Sequence, residues 1–133
     1  MSNCIQIHGT PVGPENPLFI IGEVGLAHDG SLGAAHAYVD RLAKVGVDAV
    51  KFQTFKAENL VSKNAPKAPY QKNITSQLES QFSMLKKLEL DFSVHKKLIN
   101  YCKKKNLGFL GLEYSGHGKS SKNLAGSRIE MRC

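Results

Sequence analysis

The chain has 133 residues, 41% of them apolar and 22% charged, a globular profile that excludes wholesale disorder and fibrous repeats and bounds the fold to one domain-sized core. Its 18 Lys and Arg against 11 Asp and Glu give a formal charge of +7, which favours anionic company such as phosphate esters, carboxylates or nucleic acid without choosing among them. Three widely spaced cysteines, Cys4, Cys102 and Cys133, are odd in number and form no ligand pattern, so they point away from a disulfide framework and towards a reducing, cytoplasmic setting.

Residues 1–17 are rich in turn residues, with Gly9, Pro11, Gly13, Pro14 and Pro17, and form a lead-in with at most a short edge strand at Cys4 to Ile7. The apolar stretch from Leu18 to Ile21 is far shorter than the roughly 20 residues of a membrane span, and no basic leader precedes it, so neither membrane insertion nor secretion is expected. Leu18 to Val24 is a continuous apolar, β-branched run broken only by Gly22 and Glu23, the pattern of a strand covered on both faces in a parallel sheet. Asp29-Gly30-Ser31 supplies a turn and an N-cap. Ala35, Tyr38, Val39 and Leu42 then recur at helical spacing until Gly46. Val47 to Gln53 is a second short strand, so strand, helix and strand make a right-handed βαβ unit.

Thr54 to Thr75 shows no sustained periodicity and is expected to be a long loop beyond the second strand. Ser76-Gln77-Leu78-Glu79 matches a capping box for a helix through Leu78, Phe82 and Leu85, with Lys86 and Lys87 in its last turn. Asp91 or Ser93 caps a further helix whose apolar stripe is Val94, Leu98, Ile99 and Cys102. Its lysines, from Lys96 to Lys105, make a solvated face without interleaved aromatic residues, so nucleic acid is not an expected partner. Phe109 to Leu112 begins a third strand. Beyond it, residues 113–133 hold too few apolar residues for a packed element and are expected to be a disordered tail.

In a parallel α/β arrangement the working face lies at the carboxyl ends of the strands, which puts Glu23, Lys51 and Gln53 first among candidates. A carboxylate among apolar neighbours is costly unless paired, hydrogen-bonded or used, so Glu23 is either a reacting acid or half of a structural ion pair. Lys51, between Val50 and Phe52, is suited to hold a phosphate or carboxylate as a point charge; solvation on an edge strand is the alternative. His28 is either a ligand or proton carrier or a hydrogen-bonded turn residue. The five histidines form no spaced metal-ligand set. Gly116 to Ser121 looks like a phosphate-binding loop, but Glu113 stands where that motif needs glycine.

Phe19-Ile20-Ile21-Gly22-Glu23-Val24-Gly25 with His28-Asp29-Gly30, followed by Asp48 to Glu58 with its Lys51-Phe52-Gln53, resembles the N-terminal signature of the N-acetylneuraminate (sialic acid) synthase family. The similarity continues through Leu60 to Lys72 and Met84 to Leu90, so it runs in order from about Pro17 to Leu110. It implies a TIM-type (β/α) barrel, of which residues 18–112 would be a part with about three parallel strands and intervening helices. It also implies condensation of phosphoenolpyruvate with N-acetylmannosamine or a related N-acyl amino sugar, assisted by a divalent metal, manganese or magnesium. In that family the metal polarises the sugar aldehyde, the enol carbon attacks it, and water addition releases phosphate with C–O cleavage.

By position Glu23 matches the family's acidic residue at the reacting centre, Lys51 its phosphoenolpyruvate-binding lysine and Gln53 a sugar-contacting glutamine, while Tyr70 lies in the loop bordering the site. The chain departs from the family after the third strand: Gly111-Leu112-Glu113-Tyr114 stands in place of a Ser-Thr-Pro-Phe-like segment, with leucine where the threonine helps bind phosphoenolpyruvate. The family's metal-binding histidines and further phosphate ligands lie on later strands. A closed barrel needs about 250 residues, so the expectation is a truncated and inactive synthase, with residues 113–133 reflecting a truncated or frameshifted reading frame. Three strands with an open edge would also self-associate into a homo-oligomer. The alternative is a noncatalytic anion-binding or interaction module that associates with a full-length synthase.

Overall fold

The computed structural model describes residues 5–63, 80–113 and 129–130. Three parallel strands form its centre: β3 (Ile21–Gly25), β4 (Ala49–Thr54) and β5 (Gly108–Glu113), in the order β3-β4-β5. The crossovers between them run through helix α1 (Leu32–Val45) and, after the single turn α2 (Ala57–Leu60), through α3 (Gln81–Leu88) and α4 (Phe92–Lys104). This is the α/β arrangement of a partial (β/α) barrel that the sequence leads one to expect.

Each long helix starts where its capping side chain dictates. Ser31 Oγ accepts the Ala34 N–H at 3.2 Å to open α1, and the Asp91 carboxylate accepts the Ser93 N–H to open α4. At the other end of α1 the N–H groups of Gly46 and Val47 return to the Ala43 and Leu42 carbonyls, which stops the helix just before β4. Helix α3 opens at Ser80, whose Oγ accepts the Ser83 N–H at 3.1 Å; the capping box expected at 76–79 lies outside the described residues.

Strand residues alternate between two faces. Val50 and Phe52 of β4, with Val24 and Phe109 beside them, turn towards the helices and pack against Ala35 and Val39 of α1 and Leu98 and Cys102 of α4. The Phe52 and Phe109 rings stack with centroids 5.6 Å apart. Outside this core the Asp40 carboxylate of α1 accepts the Tyr101 hydroxyl at 3.0 Å and pairs with Lys105 at 2.8 Å, joining α1 to the end of α4.

The opposite face carries Ala49, Lys51 and Gln53. Its amino end is covered by a hairpin of β1 (Ile5–Ile7) and β2 (Thr10–Val12), turned by His8 and Gly9, both at positive φ, a two-residue turn that matches strand twist. Ile7 packs against Ala49 and Leu110, and His8 Nε2 is hydrogen-bonded to the Phe109 carbonyl at 3.0 Å. The lead-in is therefore more regular than its turn residues suggest. Pro11 is accommodated because β2 is an edge strand. Within 113–133, Glu113 belongs to β5, and the described residues Ile129–Glu130 form β6, paired antiparallel with β1 through Gln6↔Glu130 and Ile7↔Ile129.

Candidate active site

The site is built on a register irregularity. Glu23 pairs with Lys51 and Gly25 with Phe52, so Val24 is an extra residue on β3. Its side chain is buried in the helix-side core, while Glu23 remains on the open face directly across from Lys51. Lys51 Nζ lies 2.5 Å from Glu23 Oε2, with the two side chains 34% and 47% exposed. A pair this open to solvent contributes about 0–1 kcal/mol to stability, so stability alone gives little reason to set these two charges at the strand ends. Lys51 stands on the central strand of the sheet, which removes the edge-strand explanation for it.

Gly25 has φ +56°, in the left-handed region, and a Cβ placed on it would lie 3.3 Å from Glu23 Oε1 and 4.0 Å from Gln53 Nε2. The carboxylate and the amide thus border one small opening, which glycine keeps clear. Glu23, Lys51 and Gln53 are thereby brought to one end of one face. Tyr70, the fourth expected site residue, lies outside the described residues.

Behind the strand ends sit two buried histidines. Successive turns bonded Ala27 N–H to Val24, Asp29 N–H to Leu26 and Ser31 N–H to His28 carry the chain from β3 to α1 and fold His28 inward. His28 Nδ1 accepts the Gly30 N–H at 3.0 Å, so its proton resides on Nε2, which has no hydrogen-bond partner among the described residues. Burial pushes its pKa down, and the neighbouring His95 adds to this. His95 Nδ1 donates to the Asp91 carbonyl at 3.1 Å, leaving Nε2 to accept the Thr54 hydroxyl at 3.0 Å. Burial lowers its pKa as well. His28 is thus a hydrogen-bonded turn residue. Cys102, buried in the same core, has its thiol pushed up to about 11 by burial, which makes it a packing residue and no nucleophile.

The segment after β4 is held from the other crossover. The Glu89 side chain, 8% exposed, accepts the Ala57 N–H at 2.6 Å and pairs with Lys56 and Lys86, while Lys86 also reaches Glu58 at 2.8 Å. Burial alone would raise the Glu89 pKa; the Ala57 N–H and the two lysines more than reverse it, and the net direction is down. Neither His95 nor Glu89 stood out in the sequence. His95 precedes Leu98 and Cys102 by three and seven residues, so helical spacing carried the signal that it lies on the buried face. Glu89 had no such signal, because its main partner is a backbone group 32 residues away.

A divalent metal would need several oxygen or nitrogen ligands converging on one point. The described residues hold no group of three or more His, Cys, Asp and Glu able to provide this, and the Glu23 carboxylate is engaged by a cation. The described residues do not fit such a site, and no step is routed through one. Among the same residues no helix is long and apolar enough to cross a membrane.

The model of the NeuB family matches residues 38–118, from within α1 past the end of β5. The chain belongs to the NeuB family. Among curated relatives, this NeuB-family chain is 44% identical over 110 residues to the N,N'-diacetyllegionaminic acid synthase of Campylobacter jejuni, covering 83% of the chain and 33% of that protein. It is 37% identical over 105 residues to the spore coat polysaccharide biosynthesis protein SpsE of Bacillus subtilis, covering 79% of the chain and 27% of the relative. In solved structures, it superposes on an N-acetylneuraminic acid (sialic acid) synthetase from Leptospira borgpetersenii with a TM-score of 0.68 at 28% identity, over 86% of the chain and 35% of that one. The chain therefore spans about a third of the length of the relatives it matches. Lys51 and Gln53 lie inside the family match, and Glu23 lies outside it.

Proposed function

We propose that this NeuB-family chain carries the opening part of the active site of a sugar-acid synthase that condenses phosphoenolpyruvate with an N-acyl amino sugar. The observation that carries the reading is the meeting of Lys51, Glu23 and Gln53 at the carboxyl ends of β3 and β4. Lys51 supplies the positive charge for the anionic cosubstrate, Glu23 is the acidic group at the reacting centre and Gln53 offers an amide to the sugar. The named activities of the relatives are legionaminic and sialic acid synthesis, and the Leptospira structure is a complex with citrate, itself a polyanion. The named activities support the sugar-acid synthase reading.

In the proposed reaction the methylene carbon of phosphoenolpyruvate attacks the sugar aldehyde carbon and forms the new C–C bond. Water adds to the carbon bearing the phosphate ester, the C–O bond breaks, and phosphate leaves. A fixed cation at Lys51 neutralises the ester and holds its carbon skeleton in line with the aldehyde, a contribution of position and electrostatics.

The test is phosphate release from phosphoenolpyruvate in the presence of N-acetylmannosamine and manganese. Release by the chain that Lys51→Ala abolishes supports the proposal; release that Lys51→Ala leaves unchanged contradicts it. The exposed apolar residues Leu18, Ile20 and Ile21, at and before the free edge of β3, favour a second reading in which the same subsite belongs to a noncatalytic module bound to a full-length synthase. Absence of turnover together with co-purification of such a synthase supports that reading.

A further inference from the structure

Lys51, Lys56, Lys86 and Lys105 pair with carboxylates, and the Lys51–Glu23 pair differs from the others in being exclusive on both sides among the described residues. Lys105 and Asp40 share Tyr101, and Lys56 and Lys86 converge on Glu89, which also holds the Ala57 N–H. Glu58 shares Lys86 with Glu89, and Asp40 and Glu89 thus have a structural task besides a lysine. Glu23 has none: among the described residues its side chain has Lys51 as its sole partner, and Lys51 has Glu23. The strands they stand on are already joined by a parallel ladder, and both side chains are partly exposed.

The geometry points to Glu23 as an internal counter-anion that occupies Lys51 until an anionic ligand displaces it. This rests on the assignment of Lys51 as the anion-binding lysine. A carboxylate at 2.5 Å takes the position that a phosphate or carboxylate oxygen of the ligand needs. An anion that takes the Glu23 position on Lys51 must part the pair, so its affinity there is reduced by the free energy of that contact. Parting the pair needs no rearrangement of the core. Glu23 Oε1 faces the opening over Gly25, and the Gln53 amide on the far side of it is a neutral donor. The consequence is a coupling: the Glu23 carboxylate becomes free for the reacting centre when Lys51 is occupied, and by linkage whatever holds the freed carboxylate strengthens anion binding at Lys51.

The experiment is calorimetric titration of the 133-residue chain with inorganic phosphate at fixed ionic strength, comparing wild type with Glu23→Gln, Lys51→Ala and Asp40→Asn. Glu23→Gln keeps the side-chain shape and removes the competing charge. Asp40→Asn makes the same change in net charge at a distant ion pair, and circular dichroism confirms that each variant is folded. Glu23→Gln is expected to bind phosphate about threefold to tenfold more tightly than wild type, with Asp40→Asn unchanged and Lys51→Ala not binding. An unchanged or weaker affinity in Glu23→Gln, with Lys51→Ala still abolishing binding, overturns the counter-anion role and leaves the assignment of Lys51 standing. Equal tightening in Glu23→Gln and Asp40→Asn also overturns it, since net charge then explains the gain. Undiminished binding in Lys51→Ala, or no binding by wild type and Glu23→Gln alike, overturns the assignment of Lys51 and the inference with it.

Discussion

His28 and His95 sit behind the reacting face with almost no exposed surface, and their protons are placed by backbone and hydroxyl partners. Their charged surroundings are few: His95 and Asp29 act on His28, and Asp91 and Lys56 on His95. Both folded pKa values lie below the ordinary histidine value, so below about pH 6.5 the unfolded chain binds more protons than the folded one. Stability that is fully present at pH 7 is therefore lost as the pH falls towards the folded values. The urea midpoint is predicted to drop between pH 7 and pH 5, a window above that of the carboxylates, and His95→Gln should flatten the drop. A midpoint that is level across this range in the wild type contradicts the description of these two side chains as neutral and buried.

At the scale of elements, the join between the segment after β4 and the end of α3 depends on Glu89. Replacing it with alanine leaves the Ala57 N–H without its acceptor and frees Lys56 and Lys86, and a loss of about 1–3 kcal/mol in unfolding free energy is expected. Glu89→Gln retains an acceptor and should lose less. Equal stability of wild type and Glu89→Ala in urea denaturation would show that the contact does not hold the two elements together. Gly30 marks the same junction from the other side, because its φ is +70° and a Cβ there would run into the Lys87 carbonyl.

Which elements were legible follows from their physics. Strands β3 and β4 announce themselves as apolar runs, although the cover on both faces that such runs suggest is not found at Ile20 and Ile21, which are exposed; α1 and α4 announce themselves as apolar stripes with capping residues at the observed ends. Of the hairpin only β1 was legible, as a short strand at Cys4 to Ile7 expected at an edge but found between β2 and β6; neither β2 nor the single turn α2 was. Three-residue strands and a four-residue helix are too short for periodicity, and their stability comes from contacts distant in sequence, Ile7 on Leu110 and Glu89 on Ala57. In the site, Glu23 and Lys51 could be named from charge placed in apolar strands, and Gln53 from its polar side chain at a strand end. The bulge at Val24, between Glu23 and Gly25, is a property of strand pairing and leaves no mark in residue type.

For the whole molecule, the balance of charge acquires a location. Lys96, Lys97, Lys103 and Lys104 of α4 belong to a charged helix face, whereas the lysine proposed to meet substrate stands on a strand and is neutralised by a neighbouring carboxylate. Among the described residues, the parallel sheet, its helices on one face and the hairpin at the amino end of the other leave the carboxyl ends of β3 and β4 accessible, and β4 with Lys51 and Gln53 lies inside the family match. The central claim is that this end binds phosphoenolpyruvate through Lys51. Its most direct test is calorimetric titration of the chain with phosphoenolpyruvate, comparing wild type with Lys51→Ala. Saturable binding that weakens by about tenfold or more on loss of the lysine is the predicted result; equal affinity in the two proteins would contradict it.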